Sequence, residues 1–205
     1  AGILAVTGPK GCLLIDKNYT GDRLNFGLAA ERARALGLKV NMVIVDDDIA
    51  LPDLPQARGV AGTLFVHKIA GALSENGATL ETITDAATKV VKGTASIGMS
   101  LDSCTVPGNK KDNRIPEGKA ELGLGIHGEP GIEQVDFSGA KNAMTIVVER
   151  LAKIIDDGPH VALVNNLGGA TPLEMSVIVD ELLKSQIGEQ IQLVIGPAPL
   201  MTSLD

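Results

Sequence analysis

Aromatic residues are nearly missing from this chain: there is no Trp, one Tyr and three Phe among 205 residues. A platform that stacks nucleic-acid bases needs several such rings, so that class of function has no support. Net positive charge is missing too. Lys and Arg number 18 against 25 Asp and Glu, a formal charge of −7. Such a chain has no electrostatic reason to seek nucleic acid or an anionic membrane. The two cysteines, Cys12 and Cys104, stand far apart and in no CxxC. That argues against a disulfide framework and a structural zinc site, and makes a reducing, cytoplasmic setting the expectation. No apolar run approaches the ~20 residues that span a bilayer. No charged-then-apolar leader opens the chain. No Walker A sequence occurs, and nothing in the sequence reads as built to bind ATP.

What remains is ordinary globular material. Hydrophobic residues make up 44%, and the core has to come from Ala, Val, Ile and Leu. At this length one large domain or two small ones are expected. Short apolar runs alternate with longer amphipathic ones. Gly11–Ile15, Val40–Val45 and Ser96–Leu101 read as strands. Leu24–Leu36, Thr63–Leu73 and Leu80–Val91 read as helices, with Gly37 and Gly77 as stops. This rhythm predicts a three-layer α/β unit with a mostly parallel sheet over residues 1–106. Residues 107–119 (PGNKKDNRIPEGK) break it and read as a surface loop or domain boundary. A second α/β unit is expected over 120–205. It would contain a strand over Ala120–Ile126, a helix over Ala140–Ile155, strands over His160–Asn165 and Ile191–Ile195, and a helix opened by Thr171-Pro-Leu-Glu174. There Thr171 caps, Pro172 suits the first turn and Glu174 completes a capping box. Both ends read as cut, with the first unit truncated at its start and the second at its end.

The chemistry-bearing residues are few. His67 sits mid-helix and His160 opens a strand, and both read as structural. His127 follows a strand within Gly125-Ile-His-Gly-Glu-Pro-Gly131, where glycines permit close approach and where open α/β sheets bind ligands. Its readings as site and as surface residue balance. Asp22, at a strand-to-helix turn, is a candidate general base and equally a helix N-cap. Lys17, near a strand end, can donate to a polar ligand or lie solvated. Asp46-Asp47-Asp48 invites a magnesium reading, but consecutive strand residues point to opposite faces. A solvated loop with one capping Asp is the simpler account, and no metal site is expected. Asn165-Asn166-Leu-Gly-Gly169 reads as a tight turn.

Four of these stretches together resemble the substrate-binding domain of the dihydroxyacetone (glycerone) kinase family. They are Lys-Asn-Tyr-Thr-Gly-Asp-Arg-Leu-Asn-Phe (17–26), Arg-Gly-Val-Ala-Gly-Thr (58–63), Leu-Gly-Leu-Gly-Ile-His-Gly-Glu-Pro-Gly (122–131) and Asn-Asn-Leu-Gly-Gly (165–169). They follow family order and spacing across essentially the whole chain. Residues 21–31 look more like the ATP-dependent single-chain type than the phosphotransferase-system type. The resemblance implies that a ring nitrogen of His127 traps the ketone of dihydroxyacetone as a hemiaminal. It implies that Asp22 is the catalytic aspartate and that Lys17 contacts substrate. It implies ATP and Mg bound on a separate nucleotide-binding domain, a homodimer, and a second unit with a mixed sheet. Asp22 and His127 would then meet at the interface between the two parts.

The chain departs from the family in one segment. The family's upstream Gly-Ser-Gly-His-Glu-Pro stretch, whose histidine works with the aspartate, does not occur here. Phosphoryl transfer by these 205 residues alone is therefore expected to be absent or very slow. A paralogue that binds dihydroxyacetone but serves as a co-activator or sensor is the competing expectation.

Overall fold

The computed structural model describes all residues except 51–55, 104, 106, 107, 109, 112, 127–129 and 202–205. The chain divides into two compact units. The first comprises Ala1–Asp47 with Leu54–Thr94, and the second Asp48–Asp53 with Ala95–Asp205.

The first unit opens with a short helix α1 (Gly2–Val6), followed by β1 (Cys12–Lys17), α2 (Thr20–Ala35), β2 (Val40–Val45), α3 (Thr63–Glu75) and α4 (Leu80–Lys92). β1 and β2 pair in parallel, with Cys12 opposite Val40 and Lys17 opposite Val45. Strand alternation sends their side chains to two different helix layers. Leu13 and Ile15 join buried Val43, Val45, Val66 and Ala87 beneath α3 and α4. Leu14 packs instead with buried Ala30, Ala33 and Val40 beneath α2, where Ile3 of α1 also rests. The expected three layers are present, built from small aliphatic side chains.

The second unit contains β3 (Met99–Ser100), β4 (Lys119–Leu122), β5 (Glu133–Asp136), α5 (Ala140–Leu151), β6 (His160–Asn165), α6 (Pro172–Leu183) and β7 (Ile191–Ala198). β3, β4 and β5 form an antiparallel sheet, and β6 and β7 a parallel pair. Both kinds of pairing expected of a mixed sheet occur, distributed over two sheets. Met144, Val148, Leu182 and Ile187 bury the α5–α6 layer against Ala162, Val164 and Ile191. α6 starts as its sequence predicts: Thr171 Oγ1 accepts from the Glu174 N–H at 3.3 Å, and Glu174 Oε2 accepts from the Thr171 N–H at 2.8 Å.

Residues 107–119 connect β3 to β4, two paired strands of one sheet. The contacts divide the chain earlier, at Thr94. β5 has no counterpart among the strands read from the sequence. Its residues Glu-Gln-Val-Asp are polar, and only Val135 is half-buried, so no apolar run announces it. It is held by pairing with β4 and by ion pairs of Asp136 with Lys119 and Glu133 with Arg150.

Candidate functional site

The carboxyl ends of parallel strands are where open α/β sheets place ligands. In the first unit, the chain leaving β1 is built for such a use. The Asn18 N–H donates to the Val45 carbonyl at 2.9 Å, extending the β1–β2 pairing by one rung. Buried Asn18 then donates through Nδ2 to the Ala57 carbonyl at 2.6 Å. From the end of β2, buried Asp47 accepts the Val60 and Gly62 N–H groups, one on each carboxylate oxygen at 2.8 Å. Gly62 is the N-cap of α3, so Asp47 satisfies helix-start donors that would otherwise be orphaned. Together Asn18 and Asp47 tie residues 57–62 across the strand ends. Gly59 lies there against the β1 backbone, where a Cβ would meet the Val45 carbonyl oxygen and sit 2.8 Å from Lys17 Cα.

Lys17 is the last residue of β1, half-buried, on the strand face that carries Leu13 and Ile15. No described residue accepts a hydrogen bond from its ammonium group. Its charge reaches His67 on α3, whose pKa is lowered first by partial burial and then by Lys17. His67 is an exposed helix residue, and that shift favours its neutral form.

Asp22 lies in the first turn of α2, half-buried. It is not the N-cap. That position is Tyr19, in extended conformation and with no side-chain cap. The capping alternative for Asp22 therefore falls away. Among the described residues nothing hydrogen-bonds its carboxylate, and its place in the first turn is favoured by the helix dipole. Arg23, next along, donates to Asn18 Oδ1 at 3.3 Å.

Asp16 is a residue that sequence reasoning passed over. It is 2% exposed, and neither carboxylate oxygen has a hydrogen-bond partner. Burial first, and the Asp22 charge second, raise its pKa to about 6 against the opposing pull of Arg23. The signal was present in the sequence. In Cys-Leu-Leu-Ile-Asp-Lys the alternation puts position 16 on the same inward face as Cys12 and Leu14.

In the second unit, His127 lies outside the described residues, as do Gly128 and Glu129; their flanks are firmly held. Residues 120–125 are buried. The Gly123 N–H donates to the Gly98 carbonyl at 2.7 Å, and the Ile132 N–H to the Leu122 carbonyl at 2.9 Å. Gly131 packs where a Cβ would sit 2.5 Å from Glu121 Cγ. Glu121, 3% exposed, accepts from Arg114 Nη2 at 2.8 Å and Nε at 3.2 Å. Burial pushes its pKa up, but the Arg114 hydrogen bonds and the Gly131 N–H outweigh that and hold it below the usual value.

The remaining sequence candidates resolve as structure. Asp47 and Asp48 are both buried, not solvated; Asp48 accepts from the Ala50 N–H at 2.9 Å. Among the described residues no three His, Cys, Asp or Glu side chains come together as metal ligands. His160 Nε2 lies 2.9 Å from the Asp156 carbonyl oxygen. Asn165 Oδ1 accepts from the Leu200 and Met201 N–H groups, and Asn166 Oδ1 from the Gly168 N–H, closing the turn. No helix among the described residues is long and apolar enough to cross a membrane.

The Dak1 domain model matches residues 1–205. The chain is 48% identical over 207 residues to the dihydroxyacetone kinase of Citrobacter freundii, covering 99% of this chain and 37% of that protein. A triokinase/FMN cyclase from Bos taurus is 44% identical over 200 residues, covering 93% of this chain and 35% of its own length. The chain thus spans little more than a third of these relatives. The crystal structure of the C. freundii kinase in its native form superposes with a TM-score of 0.96 over 100% of this chain and 38% of that one, at 48% identity. The structure of the dihydroxyacetone kinase operon co-activator Dha-DhaQ superposes with a TM-score of 0.91 over 100% of this chain and 66% of that one, at 29% identity.

Proposed function

Because the chain belongs to the Dak1 domain family, we propose that it is the dihydroxyacetone-binding part of a dihydroxyacetone kinase, a phosphotransferase. The observation that carries this reading is the end of β1. There Lys17 and Asp22 stand without hydrogen-bond partners among the described residues, on a backbone held rigid by Asn18, Asp47 and the close-packed Gly59. Charged groups left unpaired on a rigid support are the form a preorganised substrate site takes.

In this reading His127 selects the substrate by a covalent bond. The N–H of a neutral imidazole adds across the ketone: a nitrogen–carbon bond forms, and the carbonyl oxygen takes the proton to become a hydroxyl. A polyol lacks the carbonyl and cannot be held this way, so discrimination does not rest on pocket shape alone. Lys17 donates to a substrate oxygen. Asp22 takes the proton of the terminal hydroxyl as that oxygen attacks the γ-phosphoryl group. ATP is the second substrate. In this reading ATP and its magnesium are held by a nucleotide-binding kinase domain acting on this one. The reading also carries a homodimer. Short-chain hydroxy-carbonyl compounds other than dihydroxyacetone fit the same chemistry.

The test is carbon NMR of dihydroxyacetone labelled at its carbonyl carbon. A tetrahedral-carbon signal with this chain, absent with His127→Ala, is the expected result. It should weaken below about pH 6.5, where imidazole takes up a proton. No such signal from the unaltered chain would sink the claim that these residues suffice to trap the ketone.

The likeness to the co-activator Dha-DhaQ favours a second reading, a dihydroxyacetone-binding sensor without turnover. The presence of Asp22 and Lys17 weighs toward the kinase. In the kinase, Asp22→Ala keeps the trapped-ketone signal and loses phosphoryl transfer, measured with the nucleotide-binding domain supplied. Unchanged turnover in that variant removes Asp22 from the base role.

A further inference from the structure

Gly59 lies against the main chain of Lys17, the lysine to which the proposed reaction gives the substrate. It is buried, on the stretch that leads into α3. A Cβ there would stand 2.4 Å from the Val45 carbonyl oxygen, 2.8 Å from Lys17 Cα and 2.9 Å from Lys17 Cβ. The φ of Gly59 is not positive, so its backbone conformation does not call for glycine; the contact does. None of the three opposing atoms is the free end of a side chain that could swing aside. Two are main chain, and the third is the root of the lysine.

Both sides of this contact are held. Residues 57–62 are tied down by Asn18 Nδ2 on the Ala57 carbonyl and by buried Asp47 on the Val60 and Gly62 N–H groups. On the strand side Lys17 pairs with Val45, and the Val45 carbonyl that faces Gly59 also accepts the Asn18 N–H at 2.9 Å. A side chain at position 59 therefore has to displace either that rung or the start of the Lys17 side chain. Alternation places Lys17 on the same face as Leu13 and Ile15, the face covered by the α3 layer into which residues 57–62 lead.

We propose that Gly59 is a positioning residue for Lys17. Having no side chain, it lets residues 57–62 lie on the root of the lysine and fix the direction in which its ammonium group leaves the strand, while Asp47 holds those residues down. This rests on the substrate-contact role of Lys17. A lysine carries its charge on a flexible four-carbon stem, and ordering that stem on binding costs rotamer freedom. Fixing its root beforehand removes part of that cost.

The test is a double-mutant cycle on ketone trapping, read as the dissociation constant of carbonyl-labelled dihydroxyacetone from its tetrahedral-carbon signal. Lys17→Met should weaken trapping about tenfold, the effect of losing one hydrogen bond from a charged donor. Gly59→Ala should weaken it by up to about the same factor. Added to Lys17→Met, it should change nothing further, because the group it displaces is gone. Equal weakening in both backgrounds marks a merely structural role and overturns the proposal, as does unchanged trapping in Gly59→Ala alone. Asp47→Asn adds no bulk and leaves one of the two N–H groups without its acceptor. It runs through the same cycle should Gly59→Ala not fold, and its effect should likewise vanish beside Lys17→Met. A second readout needs neither ligand nor turnover. Reductive methylation with carbon-13 formaldehyde labels the lysine amines, and the Lys17 signal, identified by its loss in Lys17→Met, should shift in Gly59→Ala while that of Lys184 in the second unit stays. An unmoved Lys17 signal overturns the positioning. Normal trapping by Lys17→Met would instead defeat the substrate role of Lys17, so the two ideas fail separately.

Discussion

Asp16 and Glu121 are both buried acids on strands, one in each unit, and their environments drive them in opposite directions. Asp16 is 2% exposed with no partner, and its pKa rises to about 6. Glu121 is 3% exposed and gripped by the fork of Arg114, and its pKa falls below the usual value. Burial alone therefore does not set the charge of a carboxylate here; the presence of a designated partner does. The difference also separates two uses of an acid. Glu121 is satisfied and holds the backbone on either side of residues 123–131. Asp16 is unsatisfied, with both carboxylate oxygens unpartnered. An unpaired buried acid weakens the fold, and such weaknesses gather where a fold does chemistry.

Breaking the paired case should have the largest effect. Arg114→Met leaves Glu121 buried without its counter-charge, with only the Gly131 N–H still supporting it, and breaking a buried pair in this way typically lowers stability by about 3–5 kcal/mol. The sign with pH follows from the lowered Glu121 pKa. Its stabilising contribution is fully present above the unfolded-state value and is lost as pH falls toward and through the lowered folded-state value. The loss in Arg114→Met should therefore be full at pH 7 in urea unfolding and shrink as the solution becomes acidic. Adding Glu121→Gln to Arg114→Met should recover a large part of it at neutral pH. A loss that does not shrink with acid would mean that Arg114 matters through its other contacts and not through Glu121.

Relieving the unpaired case should act in the reverse direction. The Asp16 pKa is raised from 3.8 to about 6, so its charged form opposes folding. Stability is then greatest below the unfolded-state pKa and declines as pH rises from about 4 to about 6. At 1.36 kcal/mol per unit, Asp16→Asn should stabilise the chain by about 3 kcal/mol at pH 8 and by nothing at pH 3.5. Denaturant unfolding of both proteins at the two pH values measures it. Equal stability at pH 8 would show that Asp16 has a partner or is hydrated.

How much of this was legible in the sequence differs between strands and site. Val40–Val45 and His160–Asn165 begin and end as their apolar runs predict; a strand of a parallel pair packed beneath helices reads as a near-continuous apolar run. The helix read over Leu24–Leu36 proved longer than its apolar pattern: α2 starts at Thr20, so Asp22 falls inside its first turn instead of before it. Lys17–Asp22 carries no apolar periodicity, and three-dimensional pairing of Asn18 with Val45 decides where the turn ends. β5 was illegible because three of its four residues are polar and exposed, leaving Val135 as its one apolar residue. Residues 107–119 look like a boundary by composition, yet β3 before them pairs with β4 at their end; composition reports exposure, not which strands pair. Of the candidate site, Lys17 and Asp22 could be named from sequence, whereas the unpartnered state of Asp16 could not. An aspartate in a strand shows its alternation face, but only packing shows that nothing reaches it.

A third acid completes the comparison by having a partner without burial. Asp136 ends β5, exposed to water, and accepts from Lys119 Nζ at 2.6 Å across the β4–β5 pairing. That hydrogen bond, followed by the Lys119 charge, holds its carboxyl below the usual range. The partner is as direct as Arg114 is for Glu121, but solvent screens the attraction, and holding two mobile side chains together offsets it. Asp136→Asn should consequently leave the urea midpoint at pH 7 within the scatter of replicate measurements, at low and at high salt alike. A clear destabilisation that salt removes would show that Lys119 and Asp136 pin the β5 edge electrostatically. In that case a partner would suffice without burial, and the ordering of the three acids would rest on partner geometry alone.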